Sequence, residues 1–442
     1  MSDAARPILD PAVRAETLAI AERGLRDGNL DLADRACREL EQRGADSWRT
    51  WLIVAEVALR LGRRDVGLDA LSRALQDASA DRALLEPVRA GLEQLAEPSP
   101  PPGGDRYHVI RAWGQGFWSD VDHVLGQLLV AELTGRTPIV SWGANARFGG
   151  RELPRGRGSD PDPAHSAWDF FFRPVSAHSA GDLVGKKLAF FPSKFRDRNL
   201  TAAESGQMEG PGSRLGALAF LGRSEPVTVS DFHTPMLALA NWVPAWHRLH
   251  RAPLERMYED LIARYLVPTD EIRAKVEAAA AAIGLGEEPV IAVHVRGSDK
   301  TLELTDLHSV HAVYQQQIVK LIKELGSGTR VLLLTDWAPA EAEYRARLGA
   351  RLLTTPSVKT GEQRGVHFQN LRPGRQLGEE VLIDALLATR CAAFVGLAYS
   401  NVSAFIAYWR CVLWAERAGN VLIGPHLHRA YNLPLLRHRG TR

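Results

Sequence analysis

Cysteine is scarce in this chain, with three residues in 442, at positions 37, 391 and 411. An odd and widely spaced set excludes a disulfide framework and any Cys-based zinc cluster, and fits a reducing compartment. A dominant charge sign is also lacking. Lysine and arginine number 54 against 52 aspartates and glutamates, so no overall excess draws nucleic acid or an anionic membrane, and any anion site has to be local. No apolar run reaches the roughly 18 residues of a membrane span, and the opening stretch to Leu25 has no apolar core behind a basic start. The expectation is a protein neither secreted nor membrane-spanning, working in the cytoplasm. HExxH, GxSxG and GxxxxGK[ST] do not occur, which removes the main support for metalloprotease, α/β-hydrolase and P-loop NTPase chemistry.

What is present is an ordinary globular composition, 45% apolar and 24% charged, in a chain long enough for two or three compact units. Residues 10 to 95 are rich in Ala, Leu and Arg, hold no proline between Pro11 and Pro87, and space their apolar residues by three and four. That pattern predicts a run of helices. The run repeats: a shift of 34 residues places Ala21 on Ala55, Leu25 on Leu59, Gly28 on Gly62, Asp31 on Asp65 and Ala36 on Ala70, the tetratricopeptide period. Two repeats and a capping helix over 81–96 are fewer than such an array needs to stand alone, so this module is expected to dock on the rest. Pro98 to Gly104 cannot continue a helix and marks a boundary.

Beyond it, short β-rich runs alternate with helical segments: RYHVIRAW, DVDHVLGQLLVAELTG and TPIVSWG, then a second series from about residue 270. Alternation of this kind predicts βαβ units on parallel sheets, and apolar strands such as Val290 to Val295 belong in sheets covered on both faces. The expected fold class is α/β, two doubly wound lobes behind an all-α module. Residues 144–215 are rich in Gly, Pro, Arg and Asp without periodicity, a length of loop that is usually functional.

Doubly wound lobes collect ligands at the carboxyl ends of their strands. Three strand exits carry chemistry: His294-Val295-Arg296-Gly297-Ser298-Asp299-Lys300, Thr335-Asp336-Trp337 and Ala398-Tyr399-Ser400-Asn401-Val402-Ser403. Arg296 can grip a diphosphate with two parallel bonds, and Gly297 lets that group approach the backbone; a salt bridge from Arg296 to Asp299 is the plainer alternative. His294 serves equally well as a core histidine. Ser400 can cap the helix after it, whose free N–H groups would face a phosphate. Gly114-Gln115-Gly116-Phe117 forms a glycine loop between the first strand and helix, though it is not GxGxxG. Asp120, Asp122 and His123 lack the partner spacing of a metal site, and the aspartates read best as helix-start residues.

Three blocks, GFWSDVDHV (116–124), PVIAVHVRGSDK (289–300) and VLIDALLATRCAAFVGLAYSNVSAF (381–405), resemble in order the motifs of the α-1,6-fucosyltransferase superfamily. That superfamily includes the core and bacterial nodulation-factor enzymes and, more distantly, the protein O-fucosyltransferases. The middle block is similar to its HVRRTDK signature. The likeness spans roughly 106–420, with a poorly matching stretch over 145–245, and leaves the repeats outside.

The resemblance implies a GT-B-like fold, GDP-fucose as donor and an inverting transfer that uses neither metal nor cofactor. By position it places His294 and Asp336 on the guanine side, Arg296 on the diphosphate and Tyr399, Ser400 and Asn401 at the phosphate end. Gly116 and Phe117 close from the other lobe, and Asp299 and Lys300 lie beside the sugar. The chain departs from the family twice. Its second signature arginine is Gly297, and the family's acidic base position is Leu304, which leaves Glu303, Asp299 and Asp306 as candidates. The expected layout is helical repeats over 1–97, a linker over 98–105, an acceptor-side lobe over 106–268 and a donor lobe over 269–442. The expected activity is transfer to a glycan or to a protein or peptide hydroxyl presented by the repeats. The alternatives are a tetratricopeptide scaffold on a degenerate transferase domain, and a transferase for another nucleotide sugar.

Overall fold

The computed structural model describes residues 9–27, 29–45, 47–94, 105–156, 160–203, 220–230, 236–240, 242–286, 288–297, 307–415 and 419–424. Five helices come first: α1 (Pro11–Asp27), α2 (Leu30–Arg43), α3 (Trp48–Arg60), α4 (Arg64–Gln76) and α5 (Arg82–Gln94). Several of the small residues lie where helices cross, while Gly62 sits in the turn after α3 and Gly28 lies outside the described residues. Ala21, Ala33, Ala55 and Ala70 are buried, a Cβ on Gly24 would come within 2.8 Å of the Ala33 nitrogen, and one on Gly67 would meet Leu59 at 2.4 Å. Helix α5 docks on the next unit through Gly91, whose added Cβ would stand 2.7 Å from Leu221 and 2.9 Å from the Gly222 nitrogen. The helical module therefore shares its core with the α/β unit.

The remainder is mixed α/β with two parallel sheets. In the first, β1 (Tyr107–Arg111), β2 (Thr137–Ser141), β3 (Phe190–Phe191) and β4 (Val227–Ser230) are ordered β2-β1-β4-β3, with β2 on the edge. Helix α6 (Phe117–Thr134) carries the chain from β1 to β2 and stops at Gly135, which takes the left-handed conformation at φ 60° that favours glycine. In the second sheet, β5 (Val290–His294), β6 (Arg330–Leu334), β7 (Leu352–Thr354), β8 (Ala393–Leu397) and β9 (Asn420–Ile423) are ordered β7-β6-β5-β8-β9. The apolar strands expected to be covered on both faces are so: β5 and β8 are buried throughout.

Helices α7 (Leu254–Tyr265) and α8 (Asp270–Ala282) precede the second sheet, and α9 (Leu307–Leu325), α10 (Ala338–Leu348), α11 (Gly374–Thr389) and α12 (Asn401–Trp414) belong to it. Helix α12 does not stay with its own sheet. Phe405 stacks on Trp118 of α6 at 4.9 Å and Tyr408 on Tyr258 of α7 at 4.6 Å, so aromatic packing joins the two sheet units beneath the space between them. Of the long aperiodic stretch, 157–159 and 204–219 lie outside the described residues; the rest holds three short 3-10 turns and β3. Among the described residues no helix is long and apolar enough to cross a membrane.

Candidate active site

A cleft of about 490 Å³ opens between the two sheets, a size typical of small-molecule sites. Its walls come from the carboxyl ends of strands, where parallel sheets place ligands. Gly116 and Phe117 follow β1, His294 ends β5 and Arg296 follows it, Asp336 follows β6, Tyr399, Ser400 and Asn401 link β8 to α12, and all eight line this one cleft. Ser298, Asp299, Lys300, Glu303, Leu304 and Asp306 lie outside the described residues.

Arg296 does not stand open to solvent. Its guanidinium donates to Asp336 Oδ2 at 2.7 Å, both side chains being largely buried, and the Gly297 N–H reaches Asp336 Oδ1 at 3.4 Å. Asp336 thus orients the arginine, a role the strand-end position alone did not reveal. Gly297 itself is required by packing: a Cβ there would lie 2.5 Å from Trp337 Cβ and 2.6 Å from its Cγ. Gly297→Ala is expected to destabilise the chain by about 1–3 kcal/mol through this clash. A lowered thermal midpoint, recovered when Trp337→Ala is added, would establish the steric cause, and an unchanged midpoint would remove it.

His294 is at once a core histidine and a cleft residue. Burial and the neighbouring Arg296 charge push its pKa down to about 3, with Asp336 pulling the other way, so the ring is neutral. Its Nδ1 lies 2.7 Å from Ser403 Oγ, which also accepts the Leu397 N–H at 3.1 Å.

Ser400 occupies the N-cap position of α12, but its hydroxyl makes no capping bond. The expected serine cap is therefore not made; the Ser400 carbonyl accepts the first helical bond, from Ala404 N–H at 2.9 Å, and the N–H groups ahead of it get no bond from the serine hydroxyl. The first N–H groups of a fourteen-residue helix are left at the cleft, with the positive end of its dipole. The Phe117 ring is buried and packs against Phe171 at 5.0 Å and against Phe148 and Trp118 at 5.4 Å.

Asp120 is not a simple helix-start residue. It accepts the N–H groups of Gly114 at 3.0 Å and Gln115 at 3.3 Å, fixing the glycine loop, while burial raises its pKa to about 7. Gly114 sits at φ +82°, which favours glycine. Asp122 accepts from Tyr258, and His123 contacts Ser230 at 3.3 Å. Among the described residues no cluster of His, Cys, Asp and Glu suits a metal ion.

Two parts of the cleft were not singled out in the sequence. One is the loop bearing Ser357, His367 and Phe368; the other is Asp384 on α11. Burial pushes the Asp384 carboxyl up to about 6 against the pull of the Thr355 and Ser357 hydroxyls and Lys359, and its Oδ1 is buried without a hydrogen-bond partner. A lone aspartate inside the apolar run Val381-Leu382-Ile383-Asp384-Ala385-Leu386 was the available signal.

The chain is similar to fucosyltransferases of known structure. One is NodZ α-1,6-fucosyltransferase soaked with GDP-fucose, at 20% identity and TM-score 0.44, over 69% of this chain and 92% of that one; NodZ from Bradyrhizobium is also matched by a further structure. Another is an Arabidopsis thaliana FUT1 mutant in complex with GDP, at 12% identity and TM-score 0.44, over 81% of this chain and 77% of that one. POFUT1 in complex with GDP-fucose gives 12% identity and TM-score 0.42, over 74% of this chain and 99% of that one. No family model matches the sequence, and no curated protein matches it.

Proposed function

We propose that this chain is a GT-B glycosyltransferase that moves fucose from GDP-fucose to an acceptor hydroxyl in the cytoplasm. The observation that carries the proposal is the convergence of the three fucosyltransferase-like sequence blocks, far apart in the chain, on one cleft between two parallel sheets. In this reading residues 1–97 are tetratricopeptide-like repeats, 98–105 a linker, 106–268 the acceptor-side lobe and 269–442 the donor lobe.

Arg296, held by Asp336, and the amino end of α12 at Ser400 and Asn401 supply positive charge to the diphosphate. That charge stabilises GDP as it leaves, so the reading needs no metal. Guanine recognition passes from Asp336 to Asp384. Asp336 is engaged by Arg296, whereas Asp384 offers a buried, unpartnered oxygen to the two adjacent donors, N1–H and N2–H, of guanine. Neutral His294 lines the same cleft, and Tyr399 and the Gly116 loop close on the donor.

In the transfer, the acceptor oxygen bonds to fucose C1 as the C1–O bond to GDP breaks with inversion. The acceptor proton passes to a carboxylate, Glu303, Asp299 or Asp306, and by resemblance Lys300 is assigned to the sugar side. Incubation with GDP-fucose should release GDP, faster when an acceptor is present. Absence of GDP release across glycan and peptide acceptors would reject the reading.

A further inference from the structure

A second cavity, of about 400 Å³, lies along the free edge of β2. The direction of each backbone group on that strand is fixed by its ladder. Thr137 N–H donates inward to Arg106 O at 2.9 Å, so residues 137, 139 and 141 face β1, while 138, 140 and 142 face away. Two of the three outward positions are stapled. Pro138 has no N–H, and its carbonyl accepts from Ser176 Oγ at 2.6 Å. Trp142 donates to Ser166 Oγ at 3.0 Å and accepts from Ala167 N–H at 2.9 Å. Between them Val140, itself buried, turns one N–H and one C=O outward, and no described residue bonds either. Buried backbone groups without protein partners are uncommon and mark a place for water or a ligand.

The chemistry around this pair narrows what fits. The segments carrying Ser166 and Ser176 close both ends of the open edge, so an extended peptide strand, which would pair at alternate residues along β2, has no room to run. What remains is a compact ligand presenting a donor and an acceptor on neighbouring atoms. The walls offer Asp169, His178 and Ser179. His178 faces Asp182 at 3.6 Å, and His165, which faces Asp162 at 3.5 Å, is also near enough to Asp169 to interact with it, so carboxylates and imidazoles share these walls. Paired polar groups of both kinds suit hydroxyls better than a net charge.

We propose that this pocket binds a neutral sugar residue, one hydroxyl donating to Val140 C=O, its neighbour accepting from Val140 N–H, and a further hydroxyl donating to Asp169. Position adds a role. The end of β2 lies beside that of β1, Arg111 pairing with Ser141, and β1 continues into Trp113 and Gly116 at the cleft. Resting on the transferase reading, the pocket is an acceptor subsite on the same sheet edge, and it selects a glycan over a peptide; sugar binding itself does not depend on that reading.

The test is titration of the full chain, without donor, by cellotetraose, chitotetraose, maltotetraose and an extended polar peptide, monitored by ligand-observed NMR. Val140→Pro removes the outward N–H without touching the ladder, and Asp169→Ala, at an exposed side chain, guards against a folding failure. At least one tetrasaccharide should bind, each variant should weaken it about tenfold or more, and GDP affinity measured in parallel should stay unchanged. No binding by any tetrasaccharide, binding in both variants equal to the parent's, or peptide binding that Val140→Pro abolishes would overturn the proposal. Loss of GDP binding in the parent protein would instead count against the transferase reading.

Discussion

Arg296→Ala should lower GDP-fucose turnover about a hundredfold or more, the loss typical of removing one donor aimed at developing charge in a water-poor site. The geometry makes the effect larger than loss of a single bond. Arg296 is fixed by its 2.7 Å contact with Asp336, so its charge is already in place when the C1–O bond breaks. Removing it also leaves the Asp336 carboxylate uncompensated close to the diphosphate, adding repulsion. Arg296→Lys keeps the charge but loses the planar fork, and should fall between the two. Asp336→Asn keeps the arginine and loosens it, lowering kcat while folding is retained. Because unpairing a buried charge also costs stability, thermal midpoints are measured alongside. Turnover near the parent level in Arg296→Ala would end this assignment.

Asp384→Asn carries the second large effect. Two charge-assisted bonds to guanine would be replaced by one neutral acceptor facing two donors, and bonds to charged groups are worth about 1.5–3 kcal/mol each. GDP affinity should fall about ten- to a hundredfold, with discrimination against UDP shrinking in step. The same residue sets a pH dependence. Its carboxyl pKa is raised to about 6, so above that value it is ionised and able to accept, and below it the group is protonated. GDP affinity should therefore be full near pH 7.5 and fall as pH drops through 6. Bound guanine favours the ionised form, so the step in the complex lies lower. His294, depressed to about 3, stays neutral across this window and adds no step. Asp384→Asn should remove only the step that Asp384 sets, leaving those of the terminal phosphate of GDP, at about 6, and of Asp120, raised to about 7, and an acid limb identical to the parent's in that variant would place the titrating group elsewhere.

The helices, the parallel sheets and the polar strand exits were legible because each rests on local signals: periodicity, apolar strands and residues just past a strand. His294, Arg296 and Ser400 reach the cleft for that reason. What escaped depends on partners distant in sequence. Asp384 looks like an interruption of an apolar helix until the chain brings Thr355 and Ser357 beside it. Gly297 looks like a lost arginine until Trp337 fills its side-chain space. Asp336 looks free until Arg296 folds against it. Ser400 illustrates the reverse case, a capping residue by type whose hydroxyl makes no cap bond. The loop with His367 and Phe368 has no period to read; contacts with Phe148 and Arg147 and the Thr360–Gln369 hydrogen bond at 3.1 Å define it.

The central claim is that the cleft holds a guanosine diphosphate sugar, and isothermal titration of the full chain with GDP, UDP and ADP tests it most directly. GDP should bind tightest, and Arg296→Ala should weaken all three together, since the diphosphate is common to them. Tighter binding of UDP or ADP than of GDP would contradict the account.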